Sequence, residues 1–135
     1  MTNFFVLDTN LVVSAVIWNK SMGTRVLEKA LREGTIVISE AVAAEYLEVI
    51  SRPKIDRFLP LEIRLSIMKQ IIQQALPVKL TERFTVCRDP KDDMFLDLAV
   101  AATAACIVTR DADLLTLHPF RGISILNAAD FISLF

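Results

Sequence analysis

Four carboxylates stand where an α/β protein could use them together: Asp8, Glu45, Asp93 and Asp111. Asp8 closes the apolar run Phe4-Phe5-Val6-Leu7, and Asp111 closes Cys106-Ile107-Val108-Thr109-Arg110. Open α/β sheets bind ligands beyond the carboxyl ends of their strands, where the strand order reverses. Acids gathered there repel one another, so one must hold a proton or a cation must bind. Mg2+ takes oxygen ligands and keeps waters beside one or two carboxylates, and Mn2+ suits the same donors. Such an ion polarises a phosphoryl oxygen and lowers the pKa of a bound water, which is the chemistry of in-line attack on a phosphate ester. That chemistry needs neither His nor Cys. The chain has one His, and its two cysteines lack ligand spacing.

Singly, each acid has a plainer role. Asp8 precedes Thr9-Asn10 and can cap a helix. Glu45 can lie on a solvated helix face, although Val42, Leu47, Val49 and Ile50 leave that face narrow, and a half-buried Glu needs a partner. Asp93 can complement a helix dipole, with Asp89 and Asp92 as loop acids. Asp111 or Asp113 can cap a short helix. These separate roles leave the shared location unexplained. Asn10, Asp97, Thr109 and Asp113 are expected one layer behind the ligands, with the Thr109 hydroxyl orienting a carboxylate or a water. Asp97 can equally be an exposed neighbour. Arg52, Lys54 and Arg110 are the candidates for gripping a phosphate backbone, while His118 reads as a loop residue.

The elements that must position these groups follow from periodicity and punctuation. Apolar or β-branched runs at 4–7, 35–38, 78–80, 106–109 and 123–126 predict strands. Helices are expected at 10–18 behind a Thr9/Asn10 cap, at 24–33 before Gly34, and at 40–51 between Ser39 and Pro53. Others are expected at 61–75 before Pro77, at the alanine-rich 94–105, at 112–117 and at 128–134. This alternation calls for one α/β domain over 1–135, a central parallel sheet in a three-layer α/β/α sandwich.

Composition narrows the classes. The 135 residues are 53% hydrophobic with a net charge of −1, and the mean hydropathy is +0.47. Such an apolar chain is expected to cover some surface with further copies of itself, as a homodimer or higher homo-oligomer. The charge balance excludes holding nucleic acid by phosphate contacts alone. Cys87 and Cys106 read as reduced, packed thiols. No targeting segment is legible, and the longest apolar run, 98–108, is too short to cross a bilayer, so a soluble, cytoplasmic protein is expected.

Several stretches together resemble the PIN-domain nucleases: Val6-Leu7-Asp8-Thr9-Asn10, Glu45 in its helix, Asp89-Pro90-Lys91-Asp92-Asp93-Met94-Phe95-Leu96, and Val108-Thr109-Arg110-Asp111-Ala112-Asp113-Leu114-Leu115. Leu47-Glu48-Val49-Ile50-Ser51-Arg52-Pro53-Lys54 is similar to the branch assigned to VapC-like toxins of toxin–antitoxin pairs. The resemblance implies a Mg2+- or Mn2+-dependent ribonuclease, commonly dimeric, cutting RNA and restrained by an antitoxin protein. It carries the catalytic and metal-binding acids onto Asp8, Glu45, Asp93 and Asp111, with Asp92 and Asp97 competing for the third place. A non-catalytic PIN-like module docking RNA or protein is the alternative. A phosphorylated receiver domain fits poorly, since no acidic pair follows the first strand and no Lys follows a late one.

Overall fold

The apolar runs become strands because their side chains are sealed on both faces; Phe5, Val6 and Leu7 are all buried. The computed structural model describes residues 2–135. It forms β1 (Asn3–Leu7), β2 (Gly34–Ile38), β3 (Leu76–Pro77), β4 (Cys106–Val108) and β5 (Ser124–Leu126). Every neighbouring pair is parallel, in the order β3-β2-β1-β4-β5. Phe5 pairs with Ile36 on one side and Cys106 on the other. The chain therefore builds outward from β1 in one direction and returns to build in the other. The strand order reverses between β1 and β4, and all carboxyl ends share one edge.

Seven α-helices accompany the sheet among the described residues: α1 (Thr9–Ile17), α2 (Met22–Glu33), α3 (Glu40–Ile50), α4 (Leu61–Gln74), α5 (Asp93–Ala102), α6 (Ala112–Leu115) and α7 (Ala128–Leu134). Because parallel crossovers are as a rule right-handed, building in opposite directions from β1 puts helices on both faces, giving the α/β/α sandwich. Phe5 of β1 meets Phe131 and Phe135 edge-on, with ring centroids 5.1 Å apart in each case. No helix among the described residues is long and apolar enough to cross a membrane.

Short polar side chains start the helices as the sequence suggests: Ser21, Ser39 and Asn127 accept N–H groups of Thr24, Val42 and Asp130. The α1 cap is Asp8 itself, so Thr9 enters the first turn. The alanine-rich helix stops earlier than expected because Thr103 adopts a left-handed conformation, φ 50°. The third strand is Leu76–Pro77 rather than 78–80. Pro77 is tolerated there because β3 is an edge strand. The third strand and the alanine-rich helix are thus corrected by geometry that propensity does not carry. Two 3₁₀ turns, Pro53–Ile55 and Pro90–Asp92, were not legible in the pattern.

Gly23 sets the approach of α1 and α2. A Cβ there would lie 2.3 Å from the Leu11 carbonyl oxygen. Alanine normally gains up to about 1 kcal/mol in a helix. Here the backbones must separate, at a cost of about 1–3 kcal/mol. Gly23→Ala is expected to lower the melting temperature by roughly 5 °C; a rise would show that the helices have room to spare.

Candidate active site

Asp8 extends the β1–β4 ladder by one bond, its N–H donating to the Val108 carbonyl at 2.9 Å. This sets Asp8 beside Thr109 at the point where the strand order reverses. One Asp8 carboxylate oxygen caps α1 by accepting the Asn10 N–H at 3.2 Å. The other accepts the fully buried Thr109 hydroxyl at 2.6 Å. The same Thr109 oxygen accepts the Asp111 N–H at 3.0 Å, which fixes the turn carrying Asp111. One hydroxyl thus orients an acid from each of the two central strands.

Glu45 reaches this edge from α3. It is half-buried and accepts the hydroxyl of Thr9, the neighbour of Asp8. Tyr46 follows it, wholly buried, and donates to the Leu7 carbonyl at 2.6 Å, tying α3 to the end of β1. Burial and the charges of Asp8 and Glu45 push the Tyr46 phenol far up, so it keeps the proton that it donates to Leu7.

The three acids that compete for the third place, Asp92, Asp93 and Asp97, differ in their surroundings. The Asp93 carboxylate accepts the Val86 and Cys87 N–H groups at 3.0 and 2.8 Å. Burial raises its pKa, but those amides outweigh burial and hold it below the usual range. Asp97, expected behind the ligands, likewise accepts the Phe84 N–H at 2.7 Å, and burial pushes its pKa up. Both acids anchor the irregular segment before α5. Asp92 is the one of the three whose ionisation is opposed by Asp111. Burial, a hydrogen bond with Asp111, and the charges of Asp111, Asp89 and Asp8 push the Asp92 carboxyl up to about 7.

The remaining expected residues divide. Asn10 is exposed and contributes its amide, while Asp113 is exposed and its N–H is capped by Asp111 at 2.9 Å. Arg110 is exposed between Thr109 and Asp111. Arg52 spends its guanidinium on Glu48, at 2.9 and 3.3 Å. Lys54 lines a shallow depression with Arg57 and Phe58, and Phe58 packs edge-on against Trp18. Trp18 lies past the far end of α1 from Asp8, about 14 Å for nine helical residues. Arg52 and Lys54 are therefore not gathered with the acids. Thr9 and Tyr46 are, although sequence reasoning gave neither a site role of its own. Cys87 and Cys106 are both free thiols.

The donors at the β1–β4 edge are all oxygen, held by hydroxyls and amides from behind, and two of them already compete for a proton. Among the described residues, no three His, Cys, Asp or Glu side chains are placed to hold a metal ion together. A pair of carboxylates completed by waters is the arrangement Mg2+ commonly accepts.

The sequence matches the PIN domain family over residues 5–113. The chain belongs to the PIN-domain family. The matched span takes in Asp8, Glu45, Asp92 and Asp111, and membership supports a nuclease role. This PIN domain is 29% identical over 115 residues to the uncharacterised protein MJ1680 of Methanocaldococcus jannaschii, covering 84% of this chain and 74% of that protein. It also resembles a chain of VapBC2 from Rickettsia felis, solved bound to a DNA fragment from its promoter, with TM-score 0.65 and 18% identity over 92% of this chain and 98% of that one. PAE2754 of Pyrobaculum aerophilum gives TM-score 0.62 at 12% identity, over 98% and 88% of the two chains. At such identities these two likenesses establish the PIN fold alone.

Proposed function

We propose that this PIN domain is a divalent-metal-dependent endoribonuclease, with Asp8, Glu45, Asp92, Asp93 and Asp111 as its acids. The observation that carries the reading is the Thr109 hydroxyl joining Asp8 and Asp111 at the reversal of strand order. Asp92 joins the expected Asp93, which accepts both loop amides through Oδ1 alone. When bound, Mg2+ or Mn2+ would supply electrophilic stabilisation of the phosphate and a water of lowered pKa. The chain's own part is to hold Asp8 and Asp111 in fixed orientation through Thr109, and Glu45 through Thr9. In the cell we assign it the role of a toxin restrained by an antitoxin protein, acting as a homodimer or larger homo-oligomer.

Incubation with single-stranded RNA is expected to give cleavage with Mg2+ or Mn2+ and none in EDTA. Full cleavage in EDTA would overturn the reading. The second reading, a binding module without chemistry, draws on the lack of a ready-made three-ligand group among the described residues. It requires RNA or protein binding with no cleavage under either metal.

The raised Asp92 value gives a test without substrate. The folded chain keeps a proton on Asp92 that the unfolded chain, with an ordinary carboxylate, has released. The associated stability is fully present below about pH 4 and is lost as pH rises through about 7. Metal-free protein is thus expected to melt lower at pH 8 than at pH 5, with Mg2+ restoring more at pH 8. Asp92→Asn is expected to flatten this dependence; an unchanged slope would place the repulsion elsewhere.

A further inference from the structure

A second feature lies on the same edge of the sheet. A groove of about 950 Å³ opens at the carboxyl ends of β2 and β3, between the first turns of α3 and the segment that follows β3. Its walls are apolar and small, including Ala41, Ala43, Val78 and Leu80. Lys79 and Arg83 line it, and Glu40 is the one acid there, so the lining is net positive. This balance is opposite to that of the neighbouring acid cluster.

Two elements join the groove to the acids. Ala41 and Glu45 are one turn apart on the same stripe of α3, so the helix that walls the groove carries Glu45 to Thr9. On the other side, Arg83 begins a segment pinned at Phe84 by Asp97 and at Val86 and Cys87 by Asp93, the neighbour of Asp92. Because the strands are parallel and adjacent, the groove and the β1–β4 edge are about 10 Å apart, two strand spacings.

We propose that this groove seats the RNA strand flanking the scissile phosphate, with Lys79 and Arg83 on its phosphates and the apolar walls receiving a base. The proposal rests on the nuclease reading above. It supplies the local positive charge that a chain of net charge −1 needs to hold a polyanion near carboxylates. It also gives Asp93 and Asp97 a task, since they fix the segment that presents Arg83. The occupant is single-stranded, because a base must leave its stack to enter a pocket of this kind.

The test compares wild type with the double variant Lys79→Ala/Arg83→Ala. Binding of a fluorescent single-stranded oligoribonucleotide is followed by anisotropy in EDTA across a salt series. Loss of two phosphate contacts is expected to reduce the slope of log K against log salt by roughly 1.4. The ratio of kcat/KM for the oligonucleotide to that for bis(p-nitrophenyl) phosphate, too small to span the groove, is expected to fall about tenfold or more. Ala41→Trp, which fills the groove without touching its charge, is expected to weaken binding with the slope preserved. An unchanged slope and affinity in both variants overturns the proposal and leaves the groove to a protein segment. Absence of hydrolysis of either substrate by wild type defeats the nuclease reading alone, because the anisotropy series still decides the groove.

Discussion

Asp8→Asn is expected to cut metal-dependent RNA cleavage by roughly 10³-fold or more while the protein stays folded. Asp8 is the acid most tightly specified by its surroundings, with one oxygen on the Asn10 amide and the other on the Thr109 hydroxyl. Asparagine caps a helix as well as aspartate does. Its amide nitrogen would face Thr109, whose hydroxyl can turn to accept. Stability should therefore change by only about 1 kcal/mol. The lost negative charge is another matter. Stabilisation by a bound ion contributes several kcal/mol at the transition state, and each 1.36 kcal/mol is tenfold in rate. Cleavage assays beside circular-dichroism melts separate the two effects. An Asp8→Asn protein with full Mg2+-dependent activity removes Asp8 from the site.

The largest stability effect is expected at Arg64, far from any chemistry. Its side chain is wholly buried. The guanidinium donates to the Ile50 carbonyl at 2.8 Å, to the Leu59 carbonyl, and to the Asp56 carboxylate at 3.0 Å. It thereby closes the end of α3 and the following turn onto α4. Arg64→Ala leaves both carbonyls without that donor and opens a cavity, for a combined loss of about 4 kcal/mol. For a chain of this length the melting temperature should drop by roughly 14 °C. Arg64→Met keeps most of the volume and should recover the packing part only. A loss below about 1 kcal/mol in Arg64→Ala would mean that water replaces the guanidinium at no great cost.

Arg64 also shows where reading the sequence stops. On a helical wheel it is one more charge on an amphipathic helix, because its partners are backbone carbonyls contributed by other elements. The strands at 4–7 and 35–38 and the helix at 40–51 were legible because hydrophobic period and capping residues agree there. The third strand was not, since a two-residue edge strand is defined by its neighbour rather than by its own composition. The same distinction runs through the acids. Asp8 and Asp111 follow strands whose ends are plain in the sequence. Asp92 and Asp93 sit at a helix start preceded by a 3₁₀ turn, where a slip of one residue rotates a side chain by about 100°. Composition cannot say which of the two adjacent carboxylates faces Asp111 and which faces the amides of Val86 and Cys87. The same limit holds for Arg52, which the sequence offers to phosphate and the structure pairs with Glu48 one turn earlier.

The bond between Thr109 and Asp8 joins residues 101 positions apart. During synthesis Asp8 and Glu45 leave the ribosome early, but the strand that brings Thr109 and Asp111 alongside them arrives only near the end. A partly made chain holds Asp8 without the hydroxyl that orients it. The order of this edge is therefore gained in one step, when β4 docks against β1, rather than built up gradually.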